Sequence, residues 1–251
     1  MTQGFYDGLA PYYHLIFEDW QASIDRQGSW LEAFIRGEWP GARTVLDAAA
    51  GIGTQALGLL ARGFRVTASD LSPVAVARAA EEARRRGLQL PTAVADLRAL
   101  SAVHGGGAFD LVIACDNALP HLLTDDELLA ALRECLRCVR PGGGLLVSVR
   151  DYAEPGSGSQ IHPYGVRRTP QGRFVLFQVW DWDGPHYDLS FYIVHEADGA
   201  APVTHVFRDR YHAVPPARLL ELMRAAGWER VRRVEGFYQP VLVGTKAQEA
   251  A

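Results

Sequence analysis

The sequence predicts an α/β fold: a parallel sheet with helices on both faces, interrupted by a small antiparallel β insertion. Three observations carry this. The stretch Thr44 to Leu60 runs from a short apolar strand, Val45-Leu46, through small residues and Gly51 and Gly53. It then enters a helical pattern with Ala56, Leu57, Leu59 and Leu60 apolar. From Thr44 to Val149 strand and helix signals alternate, as a parallel sheet with crossover helices requires. Between residues 150 and 213 the alternation stops, and aromatic and β-branched runs take over, with Asp183-Gly184 and Asp198-Gly199 as turn signals.

In chain order, residues 1–42 precede the first strand. Phe5 to Phe17 is dense in aromatics, and segment 21–36 reads as a helix with Ile24, Trp30, Leu31, Phe34 and Ile35 on one face. Strands follow at 44–47, 65–70, 92–96 and 109–115. Ser72-Pro73 opens a helix to about Arg86, serine as N-cap and proline in the first position. Thr124 and Glu127 have capping-box spacing before a helix to Val139, and Pro141-Gly142-Gly143-Gly144 turns into a strand at 145–149. Three strands are expected in the insertion, at 173–181, 187–195 and 203–211. A helix over 217–226, stopped by Gly227, leads to a closing hairpin at 228–234 and 239–245. The expected organisation is an N-terminal aromatic segment and helix (1–42), a ligand-binding domain (43–150 and 214–251) and an inserted antiparallel β cap (151–213).

The formal net charge of -4 implies no basic face, which argues against a nucleic-acid partner. Three cysteines, two of them in a helical C-x-x-C (Cys135, Cys138), lack a second pair at zinc spacing, so no metal is expected. No apolar stretch approaches the ~20 residues a membrane span needs, and no cationic leader opens the chain. A cytoplasmic protein without a membrane partner is expected.

The chemistry gathers at strand ends. Gly51 and Gly53 allow close approach of a ligand to the backbone, beside the free N–H groups of a helix start. Ala49 stands where a dinucleotide fingerprint has its first glycine, and Asp47 before the turn would repel a pyrophosphate; it suits an amine-bearing ligand. Asp70 ends the next strand about 20 residues past the glycines, where an acid holds a ribose diol.

Asp47-Ala-Ala-Ala-Gly51-Ile-Gly53-Thr54 and Ser69-Asp70-Leu71-Ser72 resemble motifs I and II of class I S-adenosylmethionine-dependent methyltransferases. The resemblance covers about residues 43–150 and 215–245 and implies a Rossmann-like seven-stranded methyltransferase sheet binding S-adenosyl-L-methionine. It places the glycine turn under the methionine part of the cofactor, Asp70 and Leu71 at the ribose, Asp96 and Leu97 at the adenine, and the backbone of Cys115 at the amino group. The aromatic N-terminal segment resembles the lid of small-molecule methyltransferases, with Tyr6 and Tyr13 as its polar contacts; packing against a core is the other reading.

Asp116-Asn117-Ala118-Leu119-Pro120-His121-Leu122 and Val149-Arg150-Asp151-Tyr152 resemble the glycine and sarcosine N-methyltransferases. On that likeness Arg150 binds a substrate carboxylate, Asn117 belongs to the reaction loop, and Tyr164, Tyr192 and Tyr211 line the substrate pocket. A guanidinium at a strand C-terminal end suits a carboxylate on its own chemistry, although an ion pair with Asp151 or another acid is the competing reading. His121 is a proton acceptor or a structural histidine. The expected acceptor is a small molecule, an amine carrying a carboxylate such as glycine or sarcosine. An O-methyltransferase using His121, His162 or His212 as base, or a non-catalytic cofactor-binding module, are the alternatives. The acceptor itself, the number of methyl transfers and the oligomeric state are not written in these motifs.

Overall fold

In a computed structural model of the chain, residues 2–152, 154 and 156–248 are described. Seven strands form the main sheet: β1 (Thr44–Asp47), β2 (Arg65–Asp70), β3 (Thr92–Val94), β4 (Phe109–Ala114), β5 (Val139–Ser148), β10 (Glu229–Val234) and β11 (Val241–Thr245). Their order is β10-β11-β5-β4-β1-β2-β3. β1 pairs parallel with β2 on one side and β4 on the other, so the chain order reverses beside β1. In open α/β sheets ligands sit at that reversal, outside the strand C-terminal ends. β11 runs antiparallel to β5, and β10 to β11, which forms the expected closing hairpin.

The sheet is apolar on both sides because successive residues of a strand point oppositely. Leu46, Val112 and Val147 pack under α6 (Asp125–Cys138) and α7 (Pro216–Ala225). Val45, Leu111, Ile113 and Leu146 pack against α2 (Trp20–Glu38) and α3 (Thr54–Leu60). Each such buried aliphatic side chain contributes on the order of 1.5–3 kcal/mol. α2 begins on an Asp19 cap, α4 (Pro73–Arg85) on Ser72 and α6 on Thr124. The capping box of α6 is shifted: the Glu127 carboxylate accepts from the N–H of Leu123, not from that of Thr124. α5 (Leu100–His104) is a short helix before β4.

β5 differs from expectation. It starts at Val139 and carries Pro141 to Gly143 as an irregularity in its pairing with β4. The glycines are there for space: a Cβ on Gly144 would run into the Trp39 ring. β3 and β4 end at Val94 and Ala114, short of Asp96 and Cys115, which stand in the loops beyond them.

The second sheet is a four-stranded antiparallel meander, β6 (Ser159–Thr169), β7 (Gly172–Asp183), β8 (His186–Glu196) and β9 (Val203–His212). Three of these strands were expected. β6 was not, because Pro163 and Gly165 interrupt its pattern; the chain accommodates both in an edge strand with a register shift between them. The inner face of this sheet, with Leu176, Trp180, Tyr187, Leu189 and Phe191, packs on Phe5 and Leu9 of α1 (Thr2–Leu9) and on Leu15 of the following short turn. The aromatic N-terminal segment is thus partly core.

Candidate functional site

Five candidate side chains stand at or just past the C-terminal ends of the parallel strands: Asp47 ends β1, Asp70 ends β2, Asp96 follows β3, Asp116 follows β4 and Arg150 follows β5. A cavity of about 1050 Å³ opens over these ends. Its floor is the turn Ala48 to Gly51. Gly51 has φ +53°, and a Cβ there would meet nothing within 4 Å, so the open space comes down to the backbone. The Asp70 carboxylate holds the turn in place, accepting from the N–H groups of Gly51 at 2.8 Å and Ser72 at 2.9 Å. Burial raises its pKa while those two donors oppose the rise.

Of the residues expected from sequence, Ala49, Gly51, Asp70, Leu71, Asp96, Leu97 and Cys115 line the cavity, as do Tyr6, Tyr13 and His121. Gly53 does not; it is the left-handed N-cap of α3, packed toward Ala79. Asp47 lies fully buried just beneath the lining; neither of its oxygens makes a well-formed hydrogen bond, and only the Ala56 N–H eases its charge. Burial, with the nearby charges of Asp116 and Asp70, pushes its carboxyl up to about 8.

Asp116 was missed by the sequence reading. It lines the cavity, and one of its oxygens is buried without a partner. Burial pushes it up to about 6, eased by Gln55 and Arg150. Asp116 and Asn117 both have left-handed backbones, φ +58° and +68°, a costly conformation for side-chain-bearing residues that marks functional loops. The loop is pinned from β5: the Ser148 hydroxyl accepts from the Asp116 N–H, and the Ser148 carbonyl accepts from the Asn117 N–H.

Asn117 departs from expectation. Its carbonyl oxygen accepts from the Arg150 N–H at 2.9 Å and its amide donates to the Tyr152 hydroxyl at 2.9 Å. Both ends of the side chain are thereby committed inside the protein, so it shapes the loop instead of facing the cavity.

His121 sits in the short turn Leu119–His121 and bridges three elements. Its Nδ1 is 2.8 Å from the Asp209 carboxylate on β9, and its Nε2 is 2.7 Å from the Tyr6 hydroxyl on α1. An ionised carboxylate only accepts, so Nδ1 carries the proton and Nε2 of the neutral ring accepts from Tyr6. The Tyr211 ring lies 4.2 Å from the imidazole. Burial raises the Tyr6 hydroxyl well above its usual value, as it does Tyr13. Asp209 has no sequence signal; it is a strand residue brought to the site by the fold.

Arg150 is held in an aromatic box. It donates to the hydroxyls of Tyr164 at 3.1 Å and Tyr187 at 3.4 Å and lies 4.6 Å over the Trp180 ring. The competing ion pair with Asp151 is not formed: Asp151 pairs with Arg233 at 3.2 Å. Tyr164 and Tyr211 belong to this neighbourhood, although neither they nor Arg150 line the cavity. Tyr192 is misplaced by the sequence reading. Strand alternation turns it to the outer face of the second sheet, stacked on Phe177 at 4.8 Å.

The N-terminal segment is fastened across the site. The Ser72 hydroxyl donates to Asp7 at 2.5 Å, and Arg78 donates to the Ala10 carbonyl and contacts His14 Nδ1 at 3.0 Å. Neither of the other candidate bases lines the cavity: His162 stacks on Trp180 at 3.8 Å, beside the Arg150 box, and His212 stacks on His186 at 5.0 Å. Cys115, Cys135 and Cys138 are free and buried. No described helix is long and apolar enough to cross a membrane.

Residues 45–143 match the methyltransferase-domain family. That match covers β1 to the start of β5, the part of the chain that carries the glycine turn and the acids at successive strand ends. The more particular likeness is to a glycine/sarcosine N-methyltransferase of Parasynechococcus marenigrum, 36% identical over 135 residues, 53% of this chain and 46% of that one. A second, from Halorhodospira halochloris, is 30% identical over 60% of this chain and 55% of its own length, so the chain spans about half the length of the curated relatives it matches. The fold is that of DesVI from Streptomyces venezuelae, with TM-score 0.79 at 21% identity, covering 96% of this chain and 98% of that one.

Proposed function

We propose that the chain transfers a methyl group from S-adenosylmethionine to the nitrogen of a small amine that carries a carboxylate. The observation that carries this reading is Arg150: a guanidinium enclosed by tyrosines and Trp180, with no carboxylate within ion-pair distance among the described residues. An enclosed cation without a counter-ion is expensive, and a substrate carboxylate meets that need.

The cofactor fits the residues present. Gly51 offers open backbone, Asp70 an anchored acceptor for ribose hydroxyls, Asp96 and Leu97 the adenine edge, and Asp47 with Asp116 two under-bonded acids for an ammonium group. S-adenosylmethionine supplies an electrophilic methyl on a sulfonium, so the chain's own task is to align and deprotonate the acceptor. An amine is protonated near neutral pH and must lose that proton before its lone pair can attack. The Tyr6 hydroxyl at the cavity wall takes that proton as it passes its own to Nε2 of His121, which Asp209 orients. The second sheet, residues 159–212, then serves as the substrate cap, providing Asp209, Tyr211, Tyr164 and Tyr187.

The test is product mass and attachment site after incubation with S-adenosylmethionine and a panel of amino acids, their amides, amino sugars and hydroxylated acids. N-methylated amino acids support the reading. Methylation confined to hydroxyl oxygens, or cofactor binding without turnover on any acceptor, overturns it.

A further inference from the structure

Two glutamines are buried where α2 packs on α3. Gln27 and Gln55 are each 3% exposed, and Gln55 Nε2 donates to Gln27 Oε1 at 2.6 Å. Glutamine is mostly exposed in folded proteins, and a buried amide needs a partner. The two helices touch backbone to backbone here: a Cβ on Gly28 would stand 2.8 Å from Gly58 Cα, and one on Gly58 2.8 Å from the Ile24 carbonyl oxygen. Trp20 ties the same corner, donating to the Thr54 hydroxyl at 2.9 Å. α2 thus fixes the first turn of α3, the turn that follows Gly51 and Gly53.

Gln55 also faces the site. It lines the cavity, as Asp116 does, and it eases the Asp116 carboxyl downward against burial. An amide stabilises a carboxylate through its N–H groups. Two facing amides can pair in either sense. The sense found here puts the Gln55 nitrogen on the Gln27 oxygen and leaves its second hydrogen for Asp116.

We propose that Gln55, oriented by Gln27, is a positioning residue that keeps Asp116 ionised as the counter-ion of the cofactor's ammonium group. This rests on the assignment of Asp116 to that ammonium and adds how its charge is maintained. The surroundings of Asp116 give its charge little other help. Asp47 from β1, the Cys115 thiol and the Tyr13 hydroxyl all feel the Asp116 charge as unfavourable to their own ionisation, and Arg150 beyond β5 is the cation that eases it. One Asp116 oxygen is buried without a partner. Asp116 titrates at about 6 and Asp47 at about 8, so Asp116 carries the charge of this pair in the empty site at neutral pH. Loss of one donor moves that charge into the neutral range.

Calorimetric titration with S-adenosylmethionine alone, from about pH 5 to about pH 8, tests this; the cofactor's own amino group titrates near the top of that range, identically in every comparison. Wild-type affinity should fall as pH drops through about 6. Asp116→Asn should bind more weakly and lose that fall. Gln55→Leu should move the fall up by about one pH unit, the scale of one hydrogen bond to a charged group, giving about fivefold weaker binding near pH 6 and nearly wild-type binding near pH 8. Gln27→Leu should shift it the same way by less. The double variant Gln27→Leu/Gln55→Leu orphans neither amide, so it carries the test if a single variant fails to fold. An unshifted profile, or weakening by the same factor at every pH, overturns the proposal and leaves the glutamines as helix packing. An Asp116→Asn variant with the wild-type profile overturns it at the acid instead. Neither result touches the identity of the methyl acceptor, which product analysis decides.

Discussion

The His121 imidazole and the Asp209 carboxylate stand 2.8 Å apart across 88 residues of chain, and both side chains are more than nine-tenths buried. The contact ties the loop after β4 to the last strand of the second sheet. It also fixes the ring so that Nε2 faces Tyr6. If His121 takes the acceptor's proton by way of Tyr6, Asp209 positions it. Asp209→Asn should lower kcat by on the order of 10–100-fold, since an oriented base is worth about 10²–10⁴. Cofactor affinity should be unchanged, as Asp209 bonds to Thr2 and His121 and to no residue of the glycine turn. Equal losses in cofactor binding and kcat would reduce the contact to a fold-holding role.

The cofactor cradle makes a separate prediction. Gly51→Val puts a β-branched residue at φ +53° and fills the open space above the turn. Asp70→Ala removes the acceptor that holds the N–H groups of Gly51 and Ser72. Each should weaken S-adenosylmethionine binding by about 1–3 kcal/mol or more, read by calorimetric titration on protein shown to be folded. Unchanged affinity in both variants would remove the cradle from the cofactor site.

The sequence made the main sheet legible because its signals are local. Strand, glycine turn and capped helix each lie within a dozen residues, and the acids at Asp47 and Asp70 follow directly from the motif. What escaped was set by distance or by backbone. Asp209 reaches His121 only after four strands have paired. The positive φ of Asp116 and Asn117 has no composition mark, and an asparagine in a reaction loop gives no sign that both its ends are hydrogen-bonded inside the protein. Tyr192 was misread because face depends on register, and a one-residue step moves a side chain to the other side of the sheet. β6 was hidden by Pro163, which only an edge strand tolerates.

Asp47 predicts a pH dependence. Its carboxyl is raised from about 4 in the unfolded chain to about 8 in the folded one, chiefly by burial. The folded state therefore binds the proton more tightly. Its stabilising contribution is complete below about pH 4 and is lost as pH rises through 8. The melting temperature of the cofactor-free protein should fall across this window, and Asp47→Asn should flatten the fall by on the order of 5–10 °C. The same substitution should weaken S-adenosylmethionine binding, because a charged ammonium loses a counter-ion. Identical pH–melting curves for wild type and variant would show that Asp47 does not titrate in this range.

The last prediction concerns Arg150. Its fork is offered from the end of β5 and steadied by Tyr164, Tyr187 and Trp180, with no acid at ion-pair distance among the described residues. A carboxylate entering this box makes charged hydrogen bonds worth about 1.5–3 kcal/mol. With an amino-acid acceptor, wild type should prefer the free acid over its amide by roughly 10–100-fold in kcat/KM, the same energy expressed as a rate ratio. Arg150→Ala should erase that preference. Arg150→Lys should recover only part of it, because an ammonium lacks the planar fork and stacks poorly on Trp180. Titration with S-adenosylmethionine should give nearly the same affinity in all three proteins, since the cofactor is assigned to the ends of β1 to β4. Equal turnover of acid and amide by wild type would remove the carboxylate role and leave Arg150 as the strut that joins β5 to the second sheet. Loss of cofactor binding in Arg150→Ala would instead place the guanidinium beside the methionine.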